Sequence, residues 1–286
     1  MAGDDRNGSE RLACYRAAVA ALAPAPTVTG PQVDPIDEPE TGPLEAIWLG
    51  RLAYRDAWAL QKRFAGERAD GMAGDRLLLV EHPAVLTLGR HADESHVLAT
   101  PGELARRGIE VIRVERGGEV TYHGPGQLVA YPILSLSRRG LLVRPLVRAL
   151  EGAMVSTCAA FGVIAHRRDG HPGCWVEADG AAPRKLGAIG IRVERAVSYH
   201  GIALNIDPDL TDFDLIDPCG TPGLVSTSIA VEAGRPDEEP STAAVERAAV
   251  VFARALATRL DVELAGFGAA ESAPPDAAGD PLAAGR

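Results

Sequence analysis

Lysine is nearly missing from this chain of 286 residues. Of 29 basic residues only Lys62 and Lys185 are lysines, which leaves 27 arginines. The four cysteines (Cys14, Cys158, Cys174, Cys219) show no Cys-x-x-Cys spacing and are too sparse for a disulfide scaffold. No apolar run approaches the ~18–20 residues of a membrane-spanning helix, so no membrane role is expected. Residues 1–5 are acidic and no apolar signal core follows them, which points to a reducing cytoplasmic compartment. Excess positive charge is absent too. The formal charge is −10, the two flanks carry −6 of it, and the remaining −4 on residues 44–267 gives no support to a nucleic-acid binder.

What is present divides into three. Residues 1–43 hold six prolines and the acidic run Asp37-Glu38-Pro39-Glu40, a composition that buries too little apolar surface to order itself; only 13–22 carries a weak helical pattern. The tail 268–286 reads the same way. Residues 44–267 suffice for one core and contain no linker, so a single catalytic domain is expected there. Strand patterns cover 44–49, 76–81, 84–88, 109–114, 127–136, 174–177, 186–193 and 197–206, with Pro132 implying an edge strand or a bulge. Helical periodicity covers 54–68, with Ala57, Leu60 and Phe64 inward, then 143–161 and 242–260, the last capped by Ser241 or Thr242. Strands come in adjacent groups with a few long helices, which predicts an α/β or α+β domain built on a mixed sheet.

Three segments carry chemistry. Residues 116–127 (RGGEVTYHGPGQ) hold four glycines, which let backbone approach a ligand closely or simply serve a hairpin loop; they fit no G-x-G-x-x-G or P-loop pattern. Lys185 opens a glycine-containing apolar strand. A lysine kept where arginine supplies nearly all positive charge marks a task arginine cannot do, such as giving up a proton; the plainer reading, an exposed helix lysine, suits Lys62. Cys219 lies between Pro218 and Gly220 in a turn, unlike Cys158, which reads as a small core residue. An ammonium near Cys219 would favour the thiolate, the nucleophilic form. The rivals are a Cys-His hydrolase using His123 or His200, and a metal site at His166, His171 and Cys174. His200 inside a strand reads as a satisfied structural histidine, and the metal spacing matches no common zinc pattern.

Together these residues resemble the octanoyltransferase family, also called lipoyl(octanoyl) transferase or lipoate-protein ligase B. The resemblance runs over roughly 44–260. It includes Glu81-His82-Pro83, Thr87-Leu88-Gly89-Arg90, Arg116-Gly117-Gly118 through Gln127, Lys185 to Gly190, Tyr199 to Ile206 and Pro218-Cys219-Gly220. It implies a single domain of the biotin/lipoate ligase-like fold. It implies an acyltransferase that moves octanoyl from octanoyl-acyl carrier protein to a lysine of lipoyl domains, those of 2-oxoacid dehydrogenases and the glycine-cleavage H protein. The same resemblance makes Cys219 the acyl-carrying nucleophile and Lys185 its partner. Substrate contacts then fall on Arg116, Gly117, Gly118, Glu119, Val120, Thr121, Tyr122 and His123, on Ala188, Ile189 and Gly190, and on Gly201, Ile202 and Ala203. Thioester exchange followed by amide formation runs downhill, so neither cofactor nor metal is expected. The candidates for an oxyanion site are backbone N–H groups near Gly190 or Gly220. Burying seven CH₂/CH₃ groups at ~0.8 kcal/mol each would give several kcal/mol of chain-length selectivity. Arg138, Arg139, Arg144 and Arg148 are the candidates for docking acidic protein partners. The alternative is an ATP-dependent lipoate or biotin ligase of the same fold.

Overall fold

Leucine-rich and β-branched runs make the strands, and the computed structural model describes them within residues 42–180, 182–235 and 241–266. Strand β1 (Leu44–Arg51) leads into helix α1 (Tyr54–Ala69), then β2 (Arg76–Glu81) and β3 (Val85–Leu88). Helix α2 (Pro101–Arg107) starts as its sequence dictates. Thr100 accepts a hydrogen bond from Glu103 N at 3.2 Å, Pro101 takes the first turn, and Gly108 closes the helix at φ 67°. β4 (Glu110–Arg113), β5 (Val120–His123) and β6 (Gln127–Ile133) precede helix α3 (Val143–Ala160). The antiparallel run β7 (His166–Arg168), β8 (His171–Val176), β9 (Arg184–Glu194) and β10 (Val197–Asn205) follows. The chain closes with β11 (Val225–Ser226), α4 (Ile229–Glu232), α5 (Thr242–Leu260) and β12 (Leu264–Gly266).

The main sheet runs β12-β1-β2-β6-β10-β9-β8-β7, with β11 paired to β9. β12, β1 and β2 are parallel, the strands from β2 to β7 are antiparallel, and β11 is parallel to β9. A small sheet, β4-β3-β5, stands beside it. This is a mixed α/β fold, as the grouped strands predict. Alternate residues of the main sheet (Leu77 and Leu79, Leu128 and Ala130, Leu204) share one core with Leu146, Leu150 and Met154 of α3 and Val245, Phe252 and Leu256 of α5. The intervening residues Val129, Tyr131 and Ala203 serve a cavity instead. Among the described residues no helix is long and apolar enough to cross a membrane.

Four local expectations change. Val120–His123 is a strand, not loop, because its β-prone residues pair with β3 despite the glycines around them. β6 is central rather than an edge; Pro132 lies opposite Leu77 of β2 and falls in the gap between the Ala130–Ile202 and Ser135–Val197 pairs with β10, so the missing N–H breaks no ladder bond to β10. The inward face of α1 is Tyr54, Ala57, Gln61, Phe64 and Arg68 rather than Leu60. Gln61 is held by accepting from His200 N at 2.9 Å, and Arg68 by Asp75. Ser241 precedes α5 without a side-chain cap, and the Thr242 hydroxyl donates to Glu81 Oε2 at 2.6 Å. The expectations for residues 1–41 and 268–286 lie outside the described residues.

Candidate active site

β-strand alternation turns Lys185 away from the core that holds Leu186, and the chain beyond β10 then returns to meet it. Val225 and Ser226 pair with Arg184 and Lys185, and Thr227 N donates to Lys185 O at 2.9 Å. The turn Pro218–Gly220 is thereby brought over the lysine, and Nζ of Lys185 donates to Sγ of Cys219 at 3.1 Å. Lys185 is 9% exposed, and its ammonium lies 4.9 Å from the ring centre of Trp175. Trp175 is fixed in turn, its indole N–H donating to His171 O at 3.0 Å.

Beside this pair is a cavity of about 480 Å³. One wall is 116–121 with His123, another is 188–191, and a third is 200–203; Tyr54, Val129, Tyr131, Trp175 and Leu224 are among the other residues that line it. The walls approach closely because glycines face one another. A Cβ on Gly190 would lie 2.8 Å from Gly117 O and 3.2 Å from Arg116 Cδ, and Gly117 N donates to Ile191 O at 3.1 Å. Arg116 is buried with neutral partners. It donates to Thr87 O at 2.6 Å, Thr87 Oγ1 at 2.9 Å and Gly117 O at 3.1 Å, and burial lowers its pKa.

The buried histidines are held neutral. His82 donates from Nδ1 to Leu52 O at 2.7 Å and accepts from the Tyr131 hydroxyl at 2.8 Å; burial pushes its pKa down to about 4. His123 is pushed down to about 3, first by burial and then by His82. Its Nδ1 donates to Gln127 Oε1 at 2.8 Å, Gln127 donates to Asn205 Oδ1 at 2.9 Å, and Asn205 donates to Thr227 O at 2.9 Å. This chain of bonds ties the cavity wall to the segment that fixes Lys185. His123 Nε2 keeps its lone pair, 3.4 Å from the Thr87 hydroxyl, and it is the lowered pKa that makes the ring a weak base. His200 is not the satisfied structural histidine its strand position suggests. It is 1% exposed, sits at φ 54°, and neither ring nitrogen has a hydrogen-bond partner among the described residues; Glu115 is 3.9 Å away, too far for one.

The lipoyl protein ligase A/B catalytic domain family matches residues 53–250. An octanoyltransferase of Chloroflexus aurantiacus is 50% identical over 193 residues, covering 67% of this chain and 85% of that one. The chain belongs to the octanoyltransferase family. It is an acyltransferase, and it transfers octanoyl groups in lipoate biosynthesis. An octanoyltransferase of Mycolicibacterium gilvum is 48% identical, covering 68% of this chain and 79% of its own. The fold is also that of a solved bipartite lipoate protein ligase from Thermoplasma acidophilum, with a TM-score of 0.55 at 13% identity over 78% of this chain and 85% of that one. These relatives favour the transferase over the ATP-dependent ligase.

Of the catalytic and substrate-contact residues that the resemblance assigns, all but one border the cavity. Tyr122 is the exception, since alternation along β5 sends it the other way. It packs on Phe213 at 5.4 Å between ring centres, and its hydroxyl donates to Asp212 at 2.6 Å. Gly220 is a poor oxyanion donor because its N–H already donates to Asp217 O at 2.9 Å. Arg139 leaves the docking set: it is paired with the buried Asp75 and bonds Gly42 O at 3.0 Å. No group of three metal-binding side chains occurs among the described residues, and Cys174 faces Cys158 across 3.8 Å in the core. Sequence reading missed Trp175, Tyr54 and Tyr131. A tryptophan beside a strand cysteine, one of only three in the chain, was the available signal.

Proposed function

We propose that octanoyl passes from octanoyl-acyl carrier protein to a lysine of a lipoyl domain through a thioester on Cys219. The contact of 3.1 Å between Lys185 Nζ and Cys219 Sγ, at the rim of an apolar-walled cavity, carries this reading. An ammonium hydrogen-bonded to sulfur stabilises negative charge there. The thiolate attacks the donor carbonyl, a new Sγ–C bond forms, and the carrier's C–S bond breaks. The departing carrier thiolate takes a proton from Lys185, which becomes a neutral amine. The acceptor amine then attacks the Cys219 thioester, and its N–C bond replaces the Sγ–C bond. Its surplus proton goes to Lys185, restoring ammonium and thiolate together. Cavity segments 116–121, 188–190 and 201–203 hold the acyl chain.

An adenylating ligase has no use for a thiol beside a lysine. Octanoyl-acyl carrier protein and apo lipoyl domain, incubated with the enzyme and no ATP, therefore give octanoylated domain. Intact mass shows an octanoyl adduct on the enzyme that hydroxylamine removes and Cys219→Ala lacks. Transfer by Cys219→Ala at the wild-type rate would disprove the covalent route.

A further inference from the structure

Cys219 adopts φ 59° and ψ 22°, and Gly220 follows at φ 64°. A cysteine in the left-handed region is strained, so the surrounding structure must hold it there. Within the turn, Gly220 N donates to Asp217 O and Thr221 N to Pro218 O at 3.1 Å. Further support comes from the short 3₁₀ segment Glu94–His96. His96 O accepts from Asp217 N at 2.8 Å, at the entrance to the turn. The His96 ring also covers Gly220. A Cβ built there would lie 2.9 Å from His96 Cε1 and 3.1 Å from both His96 Nδ1 and Glu119 Cγ. The ring is oriented in its turn. Nδ1 donates to Glu119 Oε2 at 3.2 Å, and the same oxygen accepts from Asp93 N at 3.1 Å. Glu119 belongs to the segment that lines the cavity, so one carboxylate links the acyl wall, the 93–96 turn and the backbone that follows the nucleophile.

We propose that His96 and Glu119 are a positioning pair that holds the Cys219–Gly220 turn in its left-handed conformation and so keeps the sulfur on Lys185. The inference rests on the thioester reading above. It gives Glu119, which lines the cavity, the further task of holding the nucleophile. Neither residue exchanges a proton with substrate in this account.

The test uses the full chain with octanoyl-acyl carrier protein as donor, following Cys219 acylation by rapid quench and intact mass. His96→Ala lowers the acylation rate roughly 10- to 100-fold, the scale of a misplaced reacting atom. The KM for the donor stays within about twofold, because the loss is in the reacting geometry. His96→Asn, whose amide N–H replaces Nδ1–H toward Glu119, recovers most of the rate. Glu119→Ala is slowed like His96→Ala, and the double variant is no slower than the slower single one, as expected of two residues acting as one unit. Three results overturn the pair: His96→Ala acylating at the wild-type rate, His96→Asn as slow as His96→Ala, or losses that multiply in the double variant. Should His96→Ala fail to fold, Glu119→Ala and His96→Asn are compared with wild type, and equal rates in all three overturn it. Wild-type enzyme that takes up no octanoyl on Cys219 refutes the thioester reading and the pair with it. A normal wild-type burst beside an equally fast His96→Ala refutes the pair alone.

Discussion

Replacing Lys185 by arginine separates the two tasks assigned to it, holding charge and moving a proton. At 3.1 Å from the sulfur, a unit positive charge attracts a unit negative one by about 5 kcal/mol at an effective dielectric constant near 20. Arginine keeps that attraction. What it loses is the ability to accept a proton from the incoming amine, a contribution of roughly 10²- to 10⁴-fold, or about 3–5 kcal/mol. The first step tolerates the change, because a carrier thiol with a pKa of about 8.5 leaves as thiolate near pH 8. Lys185→Arg is therefore expected to form the octanoyl-Cys219 adduct and then discharge it slowly, so that the adduct accumulates. Lys185→Met loses both steps. The guanidinium is the bulkier group, and Lys185 Cε already lies 3.1 Å from where a Gly173 Cβ would be, so a stability loss of about 1–2 kcal/mol accompanies the change. The assay is single turnover, with adduct and octanoylated lipoyl domain quantified together by intact mass. Lys185→Arg that delivers octanoyl to the acceptor at the wild-type rate would refute proton transfer through this residue.

Gly190→Ala sets a methyl group 2.8 Å from a backbone oxygen that cannot easily move, and is expected to narrow the cavity at a stability cost of about 1–3 kcal/mol. Its donor KM should rise more than its melting temperature falls, and an unchanged KM would show that the acyl chain avoids this wall. Trp175→Leu removes the ring beneath the ammonium, worth ~0.5–2 kcal/mol, and should slow Cys219 acylation between about 2-fold and 30-fold; no change by rapid quench would dismiss that contact. Folding should also depend on acid. His82 and His123 stay neutral in the fold down to about pH 4 and about pH 3, whereas the unfolded chain protonates them near 6.5. The unfolded state thus binds more protons below 6.5, and stability falls as pH drops from there toward 4, by about 1.4 kcal/mol per pH unit for each histidine. Urea unfolding of His123→Asn, which keeps a donor toward Gln127, should lose one such increment of slope, and an identical slope would contradict a neutral buried His123.

The helices and the mixed sheet were legible because their signals are local: periodicity over 54–68, 143–161 and 242–260, and grouped β-prone runs. Lys185 and Cys219 were legible for a different reason, since a lone lysine on a strand and a cysteine between proline and glycine are odd in their own neighbourhoods. What escaped depends on the partner across the fold. Pro132 is tolerated in a central strand because it falls in a gap in the pairing of β6 with β10, which residues around 132 do not encode. His96 looks like any exposed turn histidine until Gly220 arrives beneath it. Tyr122 is the instructive error. Residues 116–123 read as one binding segment, yet half of that segment is strand, and a strand presents successive side chains to opposite faces. Thr121 and His123 facing the cavity therefore commit Tyr122 to the opposite core, where its ring meets Phe213 and its hydroxyl meets Asp212. The alternation was in the sequence, but the glycines on either side made the segment look like loop and hid the period. Wherever a contiguous motif is strand-forming, alternate side chains should be divided between ligand and scaffold before any is assigned to substrate.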